Sequence, residues 1–196
     1  MSMRLKCINL VVTGVGGQGV LTLSRVIGEA AIRDKYQVKI AEVHGMAQRG
    51  GSLSTHIRIG EYVRSPLIPK FSADLLISME AIESIRYLEY LRPNGYLILN
   101  KHILAPAGTQ LTLMLEDLLE DLRNLGSYRL ITIDAYSLSS EIGETRVANM
   151  IMYGFLIGSA LLPISKNSAI IAIKTVLASK LESINIKAFN KGYSIG

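Results

Sequence analysis

The sequence has a single cysteine, Cys7, in 196 residues. An internal disulfide is therefore excluded, and a zinc ion or iron–sulfur cluster held by four thiolates cannot be assembled from this chain alone. We expect the chain to bind no cofactor by itself. Any metal-centred electron transfer would then have to be supplied by another protein.

Charge is also sparse, and it is never concentrated. Charged residues make up 19% of the chain, and the 21 lysines and arginines behind its formal net charge of +5 are scattered as single residues. A nucleic-acid surface usually interleaves basic clusters with aromatic side chains, which make up only 6% here. We therefore favour an ordinary solvated surface. A nucleic-acid-binding or scaffold protein remains an alternative that only the basic pI of about 9.3 supports.

One apolar run is long. Residues 147–165 (VANMIMYGFLIGSALLPIS) carry no charge over a length that could cross a membrane. Polar residues and a proline dilute the run, and a helix buried inside an α/β protein has the same composition, so we predict a core helix and no membrane span. The spacing of Gly154 and Gly158 indicates that another backbone approaches closely, either from a neighbouring element or from a partner.

The first residues, MSMRLKCINLVV, place basic side chains before a short apolar stretch that ends at Thr13 and Gly14. A signal peptide needs a longer apolar region and a cleavage site with small residues. We therefore expect a first strand here, in a cytoplasmic protein.

Apolar, β-rich runs alternate along the chain with stretches whose apolar residues recur at helical spacing. This alternation is typical of doubly wound sheets. We predict a Rossmann-like α/β fold, with a doubly wound, mostly parallel sheet and C-terminal helices, in a single domain of residues 1–196. The strands are predicted at residues 7–13, 37–43, 53–59, 73–78, 95–99 and 129–134. The helices are predicted at residues 18–34, 81–90, 111–125, 147–162 and 168–184.

A glycine-rich turn, GVGGQG, separates the first predicted strand from the first predicted helix and fits the pattern G-x-G-x-x-G. Glycines permit positive φ, and they let backbone N–H groups approach an anion at a helix N-terminus. Three interpretations stay open: a dinucleotide site with Glu42 as the ribose ligand, a phosphate or subunit contact, and packing of the helix on the sheet. The candidate residues of this turn are Gly14, Gly16, Gly17, Gln18 and Gly19.

A second loop, VHGMAQRGGS, lies between the second and third predicted strands and is richer in hydrogen-bonding groups than an ordinary connection needs. Arg49 offers a planar fork for a carboxylate or phosphate, and His44 can donate or accept a hydrogen bond near neutral pH. The alternative is a glycine bulge with Arg49 paired to a nearby acid. The candidate residues of this loop are His44, Met46, Gln48, Arg49, Gly50, Gly51 and Ser52.

Both loops follow strands that are expected to run in the same direction, so they should meet at the carboxyl edge of the sheet, where open α/β sheets bind their ligands. We call residues 14–19 and 44–52 together the rim. His56 and His102 are interpreted as ordinary strand and loop histidines.

Four segments give the sequence a family resemblance. GVGGQGVLTLSRVIGEAA, AEVHGMAQRGGSLSTHIRIG, SADLLISMEAIESIRYLEYLRPNGYLILN and RVANMIMYGFLIG resemble the beta subunits of indolepyruvate ferredoxin oxidoreductases, within the gamma-type family of 2-oxoacid:ferredoxin oxidoreductases. The stretch HGMAQRGGSLSTHIR is the most specific part, because related gamma chains share the glycine turn and an RGG but usually differ just before it. Beyond about Pro163 only generic helices remain.

The resemblance implies a part in converting an aryl pyruvate, coenzyme A and oxidised ferredoxin into an aryl-acetyl-CoA, carbon dioxide and reduced ferredoxin. In the family, thiamine diphosphate and the iron–sulfur clusters lie on a large alpha subunit, and coenzyme A is a co-substrate. The chain would be inactive alone and would complete or cover the partner's active site with the rim. No residue is expected to be catalytic, but His44 and Arg49 are candidates for polar contacts.

Two enzymatic alternatives stay open beside this interpretation. The chain could be the gamma subunit of a pyruvate or other 2-oxoacid ferredoxin oxidoreductase. It could also be a stand-alone NAD(P)-binding Rossmann oxidoreductase, which should bind a nicotinamide cofactor without a partner.

Overall fold

The computed structural model describes residues 7–44, 50–104 and 114–196, which form an α/β fold. Six strands make up one sheet in this part of the chain: β1 (Ile8–Val15), β2 (Gln37–His44), β3 (Ser52–Gly60), β4 (Ala73–Ser78), β5 (Leu91–Asn100) and β6 (Arg129–Ile133). Their order across the sheet is β2-β3-β1-β4-β5-β6. Only β3 runs against the others, because it pairs antiparallel with both β1 and β2. The predicted α/β class with a mostly parallel sheet is confirmed.

Seven α-helices cover the two faces of this sheet within the same ranges: α1 (Val20–Arg33), α2 (Ala81–Arg86), α3 (Leu115–Asn124), α4 (Ala135–Ile142), α5 (Ala148–Gly158), α6 (Lys166–Val176) and α7 (Ser179–Tyr193). One face packs against α1 and α4–α7, and the other against α2 and α3. The sheet is therefore wound from both sides, as the alternating pattern predicted.

The central strand β1 is apolar on both faces, which is why its sequence is a continuous apolar run. Leu10 and Val12 join the core under α1 and α5, while Val11 joins the core under α2 and α3. All three side chains are fully buried. A strand covered on both faces loses the apolar–polar alternation of a half-exposed strand.

The long apolar run forms a core helix, as predicted. Every residue of α5 from Ala148 to Ile157 is buried. A Cβ on Gly154 would lie 2.0 Å from the carbonyl oxygen of Phe189, and one on Gly192 would lie 2.0 Å from that of Ile151. The close backbone indicated by the glycine spacing is therefore that of α7. No helix in the described ranges is both long enough and apolar enough to span a membrane.

The helices differ from the prediction in three places. The predicted helix at residues 168–184 is two helices, because Leu177 adopts extended backbone, with α6 packing on α1 and α7 packing on α5. Helix α4 was not predicted at all. The predicted helix at residues 81–90 stops at Arg86 and is followed by the 3-10 turn Leu88–Tyr90, while residues 111–113 of another lie outside the described residues.

Candidate functional site

The connections that follow the neighbouring strands β1 and β4 diverge at the carboxyl ends of these strands. Helix α1 leaves β1 toward one face of the sheet, and α2 leaves β4 toward the other face. In open α/β sheets, ligands bind where consecutive connections diverge in this way. The glycine turn lies at this point, directly after β1.

The two end glycines of the turn and its middle glycine have different surroundings. A Cβ on Gly14 would lie within 3 Å of Met79 and Val20, and a Cβ on Gly19 would lie 2.3 Å from the amide nitrogen of Asn149. Both glycines thus permit tight packing. Gly17 has a φ of 104°, and no described atom lies within 4 Å of its Cβ position. The two ends of the glycine turn therefore pack closely against neighbouring residues, and the middle of the turn faces open space.

The turn also presents the N-terminus of α1. Gly19 is the N-cap with a φ of 79°, and no described side chain caps the first turn of the helix. Such a helix start leaves backbone N–H groups without partners and carries partial positive charge. The Gln18 side chain folds back instead, because its Oε1 accepts a hydrogen bond from the Val15 N–H at 2.8 Å. An anion is the complementary ligand for this arrangement.

The second loop meets the glycine turn at the same edge, as the topology argument predicted. The Gly16 N–H donates to the carbonyl oxygen of Gly51 at 3.0 Å. Gly50 has a φ of 70° with no described atom near its Cβ position. Of the other candidate residues, Met46, Gln48 and Arg49 lie outside the described residues, and so does the side chain of His44.

Two clefts flank Gly17. The larger, of about 220 Å³, lies between the glycine turn, the start of α5 and the break between α6 and α7. The smaller, of about 80 Å³, lies on the side of α4. Gly17 and Arg146 line both. The larger cleft is completed by Gly19, Thr22, Glu144, Val147, Asn149, Leu177, Leu181, Ile184 and Asn185.

Arg146 is held in place at the mouth of both clefts. Its Nε and Nη2 donate to the two carboxylate oxygens of Glu144 at 2.9 and 2.6 Å. These hydrogen bonds to Arg146 lower the pKa of Glu144 to about 2. The Arg146 side chain is nevertheless 84% exposed. An exposed guanidinium beside an uncapped helix N-terminus is suited to a phosphate or carboxylate.

The interior of the larger cleft is mixed in character. Leu177, Leu181 and Ile184 give it an apolar wall, and Asn149 is a polar residue of its lining. Asn149 is buried and donates to the Gly19 carbonyl at 3.2 Å, so it also fixes the glycine turn. The cleft therefore suits a ligand with an anionic end and an apolar portion.

Arg146 and the apolar wall of Leu177, Leu181 and Ile184 were not among the residues predicted from the sequence. Arg146 and Asn149 belong to the segment RVANMIMYGFLIG, which contributed to the family resemblance without a role for either residue. Gly19 and Asn149 are 130 residues apart in the chain, so local pattern carries no sign of their contact.

The two histidines outside the rim have protein partners. His56 is buried, and its Nδ1 accepts from the Ile68 N–H at 3.1 Å, which is a structural role in β3. The His102 ring lies 4.1 Å from the Tyr136 ring, which lines the smaller cleft. Burial lowers the pKa of His102, with Asp134 opposing the shift, so a neutral ring is favoured at pH 7. Burial likewise raises the pKa of Tyr136.

A dinucleotide site fits this geometry poorly. The candidate ribose ligand Glu42 forms an ion pair with Arg25 at 3.5 Å. Its strand β2 is separated from β1 by β3, so the acid lies one strand spacing, about 5 Å, farther from the glycine turn than in a Rossmann unit. Within the described ranges, no group of three acidic, histidine or cysteine side chains is placed to hold a metal ion.

Solved structures define the class of the fold. The chain matches a keto/oxoacid ferredoxin oxidoreductase gamma subunit from Geobacter sulfurreducens with a TM-score of 0.74 and 22% identity, covering 95% of this chain and 96% of that one. It also matches 2-oxoglutarate:ferredoxin oxidoreductase from Magnetococcus marinus with a TM-score of 0.74 and 18% identity, covering 98% of this chain but 31% of that one. The same fold thus occurs as a separate subunit and within a longer chain.

Sequence comparisons define the family. A family model described as pyruvate ferredoxin/flavodoxin oxidoreductase matches residues 9–195. The chain is 39% identical over 191 residues to indolepyruvate oxidoreductase subunit IorB of Archaeoglobus fulgidus, covering 95% of this chain and 94% of that one. It is 30% identical over 183 residues to 2-oxoglutarate synthase subunit KorC of Methanothermobacter marburgensis, covering 92% of each. The chain therefore belongs to the pyruvate ferredoxin/flavodoxin oxidoreductase family, and the resemblance found in the sequence is confirmed.

Proposed function

We propose that this chain is the small subunit of an indolepyruvate ferredoxin oxidoreductase. The complex would convert an aryl pyruvate, coenzyme A and oxidised ferredoxin into an aryl-acetyl-CoA, carbon dioxide and reduced ferredoxin. Thiamine diphosphate and the iron–sulfur clusters would lie on a large alpha subunit and supply the decarboxylation and electron transfer. Relatives named as indolepyruvate oxidoreductase subunits, which align over nearly their whole length, support this assignment.

Within the complex, we assign the larger cleft to an anionic part of coenzyme A. The observation that carries this assignment is the exposed guanidinium of Arg146, fixed by Glu144 beside the open Gly17 and the uncapped start of α1. The apolar wall from α7 would contact the less polar portion of the same molecule. Coenzyme A is a ligand in the Magnetococcus structure, which shares this fold.

The rim is proposed to face the large subunit. The Cβ positions of Gly17 and Gly50 meet no described atom, so within the described part of the chain another surface can approach both residues without a clash. His44 and Arg49 remain candidates for polar contacts to the substrate, the coenzyme or the partner. Ferredoxin would be bound through the assembled complex.

The assignment is tested by reconstituting this chain with its large subunit. We expect Arg146→Ala to raise the KM for coenzyme A about tenfold, the loss of one charge-assisted hydrogen bond, with a smaller change in kcat. Arg123→Ala, which removes an exposed arginine from α3 on the other face of the sheet, is the matched control. An unchanged KM for coenzyme A in Arg146→Ala would show that coenzyme A does not bind in this cleft.

The identity of the 2-oxoacid is tested on the same complex. Turnover of indolepyruvate above pyruvate and 2-oxoglutarate is expected. Preference for another oxoacid would favour the alternative of a different gamma-type subunit, which the 30% identity to a 2-oxoglutarate synthase subunit keeps open. Binding of NAD(P) to the lone chain in a titration would instead favour the stand-alone dehydrogenase.

The distribution of cofactors is a separate test. Because the chain has one cysteine, the purified lone subunit should be colourless and contain no stoichiometric iron. The reconstituted complex should show a cluster spectrum. A cluster that copurifies with the lone subunit, other than one bridging two copies through Cys7, would contradict the proposed division of cofactors.

A further inference from the structure

Helix α2 and the residue that caps its N-terminus carry two buried carboxylates that the proposed function does not use. Glu80 is 1% exposed, and Glu83 is 5% exposed. Acidic side chains are almost never buried so deeply unless they are paired or hydrogen-bonded, because desolvation disfavours the charged form. The partners of each carboxylate therefore indicate its role.

Glu80 has a structural role at the start of α2. Its Oε2 accepts from the Glu83 N–H at 2.8 Å and caps the helix, while its Oε1 accepts from the Leu104 N–H at 2.9 Å. Burial raises the pKa of Glu80. Since Glu80 already caps α2, the carboxylate of Glu83 is not needed to begin the helix.

The carboxylate of Glu83 reaches the rim. Its Oε2 accepts a hydrogen bond from the Ser52 hydroxyl, and its Oε1 accepts from Nε of Arg86 at 3.2 Å. The Arg86 side chain is 59% exposed, so that ion pair adds little. The Ser52 hydroxyl also lies 3.1 Å from the hydroxyl of Tyr87, the residue that follows α2. Ser52 is thus held from two sides.

Ser52 is connected to the glycine turn through the residue before it. The carbonyl oxygen of Gly51 accepts the hydrogen bond from the Gly16 N–H at 3.0 Å. Gly50 and Gly51 are adjacent glycines, and glycine loses more conformational freedom on ordering than any other residue. Ser52 is the first residue of β3 and pairs with Val15 of β1, so the Gly51 carbonyl is positioned by the end of this ladder together with the side-chain hydrogen bonds of Ser52.

We propose that Glu83 is a positioning residue of the glycine turn. By holding Ser52 it fixes the Gly51 carbonyl, and with it the amide of Gly16 in the glycine turn. The catalytic consequence rests on the proposed function, because a pre-organised turn is what would receive the anionic part of coenzyme A.

Amide hydrogen exchange in the full chain tests the positioning directly. Glu83→Met removes the carboxylate at similar length, whereas Glu83→Gln keeps an acceptor oxygen for Ser52. We expect the Gly16 amide to exchange about tenfold faster in Glu83→Met, as for loss of one hydrogen bond to a charged group, and near the normal rate in Glu83→Gln. The control is Glu89→Gln, which removes a partly exposed carboxylate paired with Lys70. Unchanged exchange of Gly16 in Glu83→Met would overturn the proposal.

Kinetics of the reconstituted complex supply the second readout. We expect Glu83→Met and Ser52→Ala each to raise the KM for coenzyme A about tenfold, with a much smaller change in kcat. The double variant should show the same KM as either single variant, because the two residues act as one unit. Effects that multiply would overturn the proposal. If Glu83→Met does not fold, Ser52→Ala carries both measurements. A wild-type complex without coenzyme A-dependent turnover would defeat the proposed function, while the exchange rates would still decide the role of Glu83.

Discussion

The glycines between α5 and α7 and the glycines of the rim occupy opposite environments. Between the helices, Cβ positions on Gly154 and Gly192 lie 2.0 Å from backbone oxygens of the same chain. At the rim, Gly17 and Gly50 have positive φ, and no described atom lies within 4 Å of the Cβ position of either residue. The first pair is needed for α5 and α7 to pack closely against each other. The second pair is needed by the turn conformation and is not packed against any described part of the chain.

The largest effect is expected between the helices. Gly154→Val should destabilise the lone chain by about 3 kcal/mol or more, because α5 and α7 must separate to admit the side chain. Thermal unfolding of the isolated subunit measures this. Gly143→Val is the comparison variant: Gly143 has open space at its Cβ position, so this variant has no steric overlap and measures only the strain of a side chain at a φ of 92°. Equal unfolding temperatures for the two variants would break the comparison.

The next effect belongs to the open side of the comparison. Gly17→Leu should weaken association with the large subunit by at least about tenfold, because the added side chain occupies space that the partner needs. The lone chain should lose only about 1–2 kcal/mol from the left-handed backbone. Gly143→Leu, which carries similar strain but lines neither cleft, is the control. Loss of the isolated fold with unchanged affinity would instead indicate packing.

Arg49 offers a test in the part of the rim that lies outside the described residues. Arg49→Ala should lower turnover of the assembled enzyme about tenfold while leaving the unfolding temperature of the lone chain nearly unchanged. Activity measured at saturating and limiting substrate decides the matter. Unaltered turnover at both concentrations would show that Arg49 forms an ordinary surface salt bridge and has no role in positioning.

The smallest effect is expected at Glu144. Hydrogen bonds from Arg146 lower its pKa from an ordinary 4.5 to about 2, so the small stabilisation from this exposed pair is present above pH 4.5 and is lost as pH falls toward 2. Because the pair is exposed, Glu144→Gln should leave the unfolding temperature unchanged at pH 7. It should raise the KM for coenzyme A a few-fold, by releasing Arg146. A marked loss of stability would show that the pair supports the fold.

The sequence predicts the strands well, and it predicts the helices less well. Continuous apolar runs such as β1 and β4 have few other interpretations. Helix α4 was missed although both of its ends are marked: Asp134 accepts from the Ser137 N–H as N-cap, and Gly143 follows with positive φ. The break at Leu177 has no proline or glycine, because it results from α6 and α7 packing on different helices.

The candidate site divides in the same way. The meeting of the two loops could be predicted, since it follows from strand direction alone. The short link between β2 and β3 could also have shown that β3 is antiparallel, because a parallel connection needs a dozen residues or more. Arg146, Asn149 and the α7 wall could not be predicted, since long-range packing brings them to the glycine turn.

The order of elements along the chain has a consequence for biosynthesis. By Gly60, a nascent chain contains β2, β3 and β1, which are neighbours in the sheet, together with α1. The hydroxyl of Tyr153, which donates to the Val26 carbonyl of α1, lies 127 residues downstream of that carbonyl. At ordinary synthesis rates α5 follows β3 from the ribosome by roughly 5 to 20 s. During that interval the apolar side of α1 is not yet covered, so the growing chain is most prone to aggregation, and most dependent on chaperones, before α5 and α6 have been made.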